Sequence, residues 1–81
     1  RCWLNGHLMQ DSNTSLMIFS IPLLVSFLSR HFTLFPGDII LTGTPRGVGV
    51  FRDPRVFMED GDKVEVEIEQ IGRLVNTCRT R

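Results

Sequence analysis

The residues best placed to do chemistry lie in the segment Gly43-Thr44-Pro45-Arg46-Gly47-Val48-Gly49. Glycine tolerates positive φ and lets backbone approach a neighbour or ligand closely. Pro36-Gly37-Asp38 before it is a turn signal, and Ile39-Ile40-Leu41 is the β-branched, apolar run of a strand buried on both faces. A core strand over Ile39–Thr42 that ends in such a loop brings one hydroxyl, Thr44, and bare backbone N–H groups from the Gly43 region to one point. The hydroxyl has a proton to donate to a carboxylate or carbonyl oxygen, and the amides assist. Read locally, the same threonine also fits a residue that only satisfies its own turn.

Other chemistries fit less well. A phosphate-cradling loop needs GxxxxGK followed by Ser or Thr; Gly43 and Gly47 have the wrong spacing and no Lys follows. Arg46 has the charge to pair with an anion, although loop arginines are commonly just solvated. The row Glu65-x-Glu67-x-Glu69 places carboxylates on one strand face, a donor type that suits Mg²⁺ or Mn²⁺; a regular exposed strand face explains it without a metal. His7 beside a turn and His31 at a helix end read as structural or solvent-facing. Asp38 reads as a turn residue bonding local backbone. Cys2 and Cys78 show neither CxxC nor zinc spacing and read as reduced thiols.

Several elements position these groups. Asn5-Gly6 is a strong hairpin signal between a strand ending at Leu4 and one beginning at His7. Ser20 is suited to cap a helix with Pro22 in its first turn. Ile21, Leu24, Val25 and Leu28 give that helix, expected near 21–32, one apolar face. Arg30 and His31 suit its last turn. Val64, Val66 and Ile68 alternate with the glutamates as a strand with one core face and one wet face. Gly72 turns the chain into a last strand, Leu74–Cys78. In all, one helix and about five strands are expected.

Nine basic and nine acidic side chains cancel and are dispersed, which argues against nucleic-acid binding. The apolar run Leu16–Leu28 is interrupted by Ser20, Pro22 and Ser26 and is shorter than the roughly 20 residues of a membrane span. The sequence therefore reads as a soluble protein with neither a nucleic-acid nor a membrane partner. A chain of this size buries only about 60–65% of its unfolded surface, so a marginal core is expected. The first strand is already ending at Leu4, which gives the expectation of a piece of a larger protein.

In order and spacing the chain resembles the C-terminal part of the fumarylacetoacetate hydrolase family. The resemblance rests on Asn5-Gly6, Gln10 with Asn13-Thr14, Met17-Ile18-Phe19, Leu28-Ser29, Thr33-Leu34, PGDIILTGTPRGVG over 36–49, Gly61-Asp62, Val64–Glu69, Ile71-Gly72 and Asn76. It implies an α+β, mostly β chain: the C-terminal portion, residues 1–81, of a mixed β-sheet roll in a domain of roughly 200 residues. It further implies a metal-dependent hydrolase or lyase acting on small 2-oxo acids, by acylpyruvate-type carbon–carbon hydrolysis or a related decarboxylation or isomerisation. Thr44 and Gly43 would bind the substrate. The Mg²⁺ or Mn²⁺ ligands, a His–Glu pair and an active-site Lys would lie upstream, so no catalytic or metal residue falls in this chain and Glu65 and Glu67 inherit no such role. The parent would be a homodimer, cytoplasmic by default and mitochondrial if a transit peptide preceded it. Leu16 and Leu23 depart from the family pattern toward apolar residues. That leaves open a different class of function, a non-catalytic interaction or dimerisation module or a truncated relic.

Overall fold

The computed structural model describes residues 1–81 and divides into two units, residues 1–12 with 44–81, and residues 13–43. The first unit holds a four-stranded antiparallel sheet in the order β2-β1-β3-β4, with β1 Cys2–Leu4, β2 His7–Gln10, β3 Lys63–Ile68 and β4 Gly72–Thr77. Asn5 at φ 49° and Gly6 at φ 81° make the tight turn between β1 and β2, the doubly left-handed pair a two-residue hairpin requires. In the β1–β2 register Cys2 faces Gln10 and Trp3 faces Leu8, so Met9 is the extra residue of a bulge.

The second unit carries a one-turn 3-10 helix, Thr14–Leu16, and α1, Ile21–Ser29. Ser20 caps α1 by accepting from the Leu23 backbone N–H at 3.4 Å, and Pro22 sits in the first turn where no amide is needed. α1 stops earlier than the sequence suggests. Arg30 is its C-cap, and His31 and Phe32 only extend it as a turn onto the Leu28 carbonyl. Gly37, at φ 93°, closes the turn in which the Asp38 N–H donates to the Phe35 carbonyl.

Three expectations are corrected. No strand forms over Ile39–Thr42, which makes four strands rather than five. Ile39 and Leu41 are 85% and 92% exposed. A strand exists only by pairing, and no segment of this chain pairs with that run. The faces of β3 are also reversed relative to expectation. Directly paired residues share a face, so Cys2, Val66 and Leu74 line one side and Trp3, Glu65 and Val75 the other. The apolar side is open, with Val66 and Ile68 exposed, whereas the glutamate side is covered by Trp3, Lys63 and Arg73. Finally, no hydrophobic side chain is fully buried, and the chain exposes 7412 Å². A folded monomer of 9.3 kDa exposes about 5,000 Å². Only roughly 45% of the unfolded surface is covered, less than the marginal core expected.

Candidate substrate-binding site

Thr44 lies on an exposed loop of the first unit, and Gly43 precedes it at φ 92°, a left-handed conformation that favours glycine. The loop is tied to the end of β2. The half-buried Gln10 side chain donates from Nε2 to Thr44 Oγ1 at 2.9 Å and to the Pro45 carbonyl at 2.9 Å. Arg52 reinforces the same junction: its Nε donates to the Gly47 carbonyl at 3.0 Å and its guanidinium Nη2 to the carbonyl of Met9, the bulged residue. Gly47 adopts φ 106° and passes so close to Met9 that a Cβ there would collide with its carbonyl oxygen. The bulge, the glycine and the arginine therefore act together to hold Thr44 beside Gln10. Arg52 and the Met9 bulge carry no local sequence signal, because a lone arginine in a mixed-charge loop looks like any solvated one.

Beside Thr44 is an open depression of about 430 Å³, lined by Thr44, Pro45, Arg46, Val48, Phe51 and Arg52, among others. It combines one hydroxyl, two guanidinium groups and apolar walls. Such a surface suits a small anionic molecule with a short carbon skeleton.

His31, Asp38 and the β3 glutamates have partners of their own. His31 Nδ1 is 2.8 Å from the Phe27 carbonyl and its ring packs 4.6 Å from that of Phe27. Asp38 Oδ2 accepts from the Phe35 N–H at 2.7 Å, a turn role as expected. His7 is exposed on β2. Both cysteines are free thiols. Glu65 binds Lys63 at 3.1 Å and Arg73 at 3.0 Å, and Glu67 binds Arg73 at 2.9 Å. The Lys63 contact, reinforced by Arg73, holds the Glu65 carboxyl below its ordinary range, and Glu67 with Glu65 raises Arg73 above its own. These glutamates are ion-paired, and no group of three His, Cys, Asp or Glu side chains converges. Glu65 and Glu67 are thus partnered by cationic side chains rather than by one another. No helix is long and apolar enough to cross a membrane.

The family model for the fumarylacetoacetate (FAA) hydrolase C-terminal region matches residues 1–79. The chain belongs to the fumarylacetoacetate hydrolase family. It is 56% identical over 75 residues to the mitochondrial oxaloacetate tautomerase FAHD2B of Bos taurus, covering 93% of this chain and 24% of that protein. It is 51% identical over 80 residues to the fumarylacetoacetate hydrolase domain-containing protein 2 homolog of Dictyostelium discoideum, covering 98% and 26%. The fold agrees with a solved fumarylacetoacetate hydrolase from Exiguobacterium antarcticum at a TM-score of 0.94 and 42% identity, covering 99% of this chain and 29% of that one. The chain thus spans about a quarter of the length of the curated relatives it matches.

Proposed function

We propose that this chain is the substrate-holding segment of a family enzyme acting on small 2-oxo acids, with Thr44 and the Gly43 backbone orienting the substrate's carboxylate or carbonyl oxygen. The reading is carried by one observation, the Thr44 hydroxyl pinned at a defined place by Gln10. A fixed donor contributes by positioning, since its orientation is already set when the ligand arrives. Oxaloacetate, named for the bovine relative, is a 2-oxo dicarboxylate of the size and charge that the depression lined by Arg46 and Arg52 suits. Isomerisation of such an acid is accordingly favoured over hydrolysis or decarboxylation. The divalent cation implied by the family would be held by residues outside this chain. The parent enzyme is proposed to be a mitochondrial homodimer.

The uncovered apolar surface supports the dependence on further chain. Ile18, Leu41, Phe51 and Ile71 are all exposed, and a sheet with an open apolar face is prone to association. The test is a chimaera in which these 81 residues replace the matching segment of the bovine tautomerase. It is expected to purify folded and to interconvert enol and keto oxaloacetate, with Thr44→Val raising KM about tenfold. The isolated chain is expected to aggregate and to be inactive. A folded chimaera whose KM ignores Thr44→Val overturns the reading. A clean, folded oligomer of the isolated chain would favour the interaction-module alternative instead.

A further inference from the structure

We infer that Gln10 is a positioning residue that biases Thr44 toward donating a hydrogen bond to its ligand, and so favours oxo acids over their amino counterparts. The inference rests on the substrate-binding reading of Thr44.

Pro45 fixes the orientation of the Gln10 side-chain amide. A proline carbonyl accepts hydrogen bonds and has none to give. The Gln10 side-chain atom 2.9 Å from it is therefore the amide nitrogen, since the amide oxygen there would set two acceptors against each other. The same nitrogen lies 2.9 Å from Thr44 Oγ1. Its two hydrogens are thus committed, one to each acceptor. The Thr44 oxygen receives, and its own proton cannot point at Gln10 without meeting an N–H. The rotamers left to that proton lead away from Gln10.

A free threonine hydroxyl rotates and serves donors and acceptors alike. With one lone pair taken by Gln10, this one is biased to greet an acceptor. A carboxylate, ketone or enolate oxygen satisfies it, whereas an ammonium has only the one remaining lone pair to reach. The polarity is protected on both sides. Arg52 holds the Met9 carbonyl, one residue before Gln10, and the Gly47 carbonyl, three residues after Thr44. Arg52 therefore tethers the backbone on both sides of the pair.

The test reverses the polarity at constant shape. In the chimaera, Gln10→Glu presents an acceptor to both Thr44 and Pro45, and a carboxylate draws the Thr44 proton away from the ligand. Gln10→Met removes the donor without offering an oxygen, leaving the hydroxyl free to rotate. The expected order of KM for oxaloacetate is wild type, then Met at about threefold, then Glu at about tenfold, with kcat changing less. In a Thr44→Val background both Gln10 changes should leave KM within about twofold, the non-additivity of residues acting through one contact. The Gln10→Glu penalty should shrink as pH falls and the new carboxyl takes up a proton, since one O–H then becomes available to donate. Inhibition by aspartate, the amino counterpart, should become relatively stronger in Gln10→Met. Equal effects of Glu and Met, or effects that multiply with Thr44→Val, overturn the inference while leaving Thr44 as a binding residue. A Thr44→Val chimaera with unchanged KM overturns the underlying reading and this one with it.

Discussion

The Asn5 side-chain amide donates to Asp62 Oδ1 at 2.8 Å, joining the tip of the β1–β2 hairpin to the turn that leads into β3. The link is reciprocal along the chain. Asn5 Oδ1 accepts from the Lys63 N–H at 2.9 Å, and the Asn5 N–H donates to the Lys63 carbonyl at 2.8 Å. Asp62 Oδ2 meanwhile accepts from the Glu59 N–H at 2.8 Å. Asn5 is thus at once the left-handed turn residue and the clamp on the next strand.

This geometry predicts an acid-sensitive sheet. The Asn5 hydrogen bond, with that from Glu59, holds the Asp62 carboxyl below its ordinary value, and the Lys63 contact does the same for Glu65. A carboxyl depressed in the folded state gives stabilisation that is fully present above its unfolded value, about pH 4, and is lost as the pH falls through the lower native value. Thermal unfolding of the chimaera between pH 7 and 2 should show a midpoint that drops below about pH 4. In Asp62→Asn that drop should be smaller. An unchanged acid limb in the variant would count against the link.

Gly47→Ala should loosen the loop. Its φ of 106° is strained for any side chain, and the added methyl meets the Met9 carbonyl. A loss of about 1–3 kcal/mol in unfolding free energy is expected, typical of forcing a non-glycine residue into such a conformation. The same change at Gly43, where nothing crowds a Cβ, carries the backbone strain without the collision and should cost less. Chemical denaturation of the two variants side by side checks the order.

Arg52→Met should act locally rather than globally. It removes donors from two carbonyls, those of Gly47 and Met9, at a cost of about 1.5–3 kcal/mol for hydrogen bonds from a charged group. Amide hydrogen exchange should speed up over residues 44–49 and at Met9 and Gln10, while the β3–β4 ladder keeps its protection. Uniform acceleration across the sheet would show that the bridge supports the fold rather than the loop.

Arg73 lies over the Trp3 ring, 4.4 Å from its centroid, while donating to Glu65 and Glu67. A cation held on an indole face is sensitive to losing its carboxylate partners. Glu67→Gln and Arg73→Gln should both shift the emission of Trp3 in a chimaera whose other tryptophans are replaced. Lys63→Gln, which touches Glu65 alone, should shift it less.

Much of this was legible in the residues themselves. Asn5-Gly6, the Ser20 cap with Pro22 behind it, and the Pro36-Gly37 turn are local, because each is decided by what one or two side chains permit in their own backbone. The alternation along Val64–Ile68 likewise gave the strand, and the glycine-rich segment marked Thr44. What sequence could not decide is what depends on a partner. Ile39–Leu41 has strand composition but nothing in this chain to pair with, and the open side of β3 is the apolar one because no element covers it. The site itself is assembled from distance: Gln10 meets Thr44 across 34 residues and Arg52 meets Met9 across 43. A hydrogen bond fixes which atom donates only once both partners are in place, so the types and order of residues determined the candidate. The tertiary structure alone decided that Gln10 is the partner of the Thr44 hydroxyl.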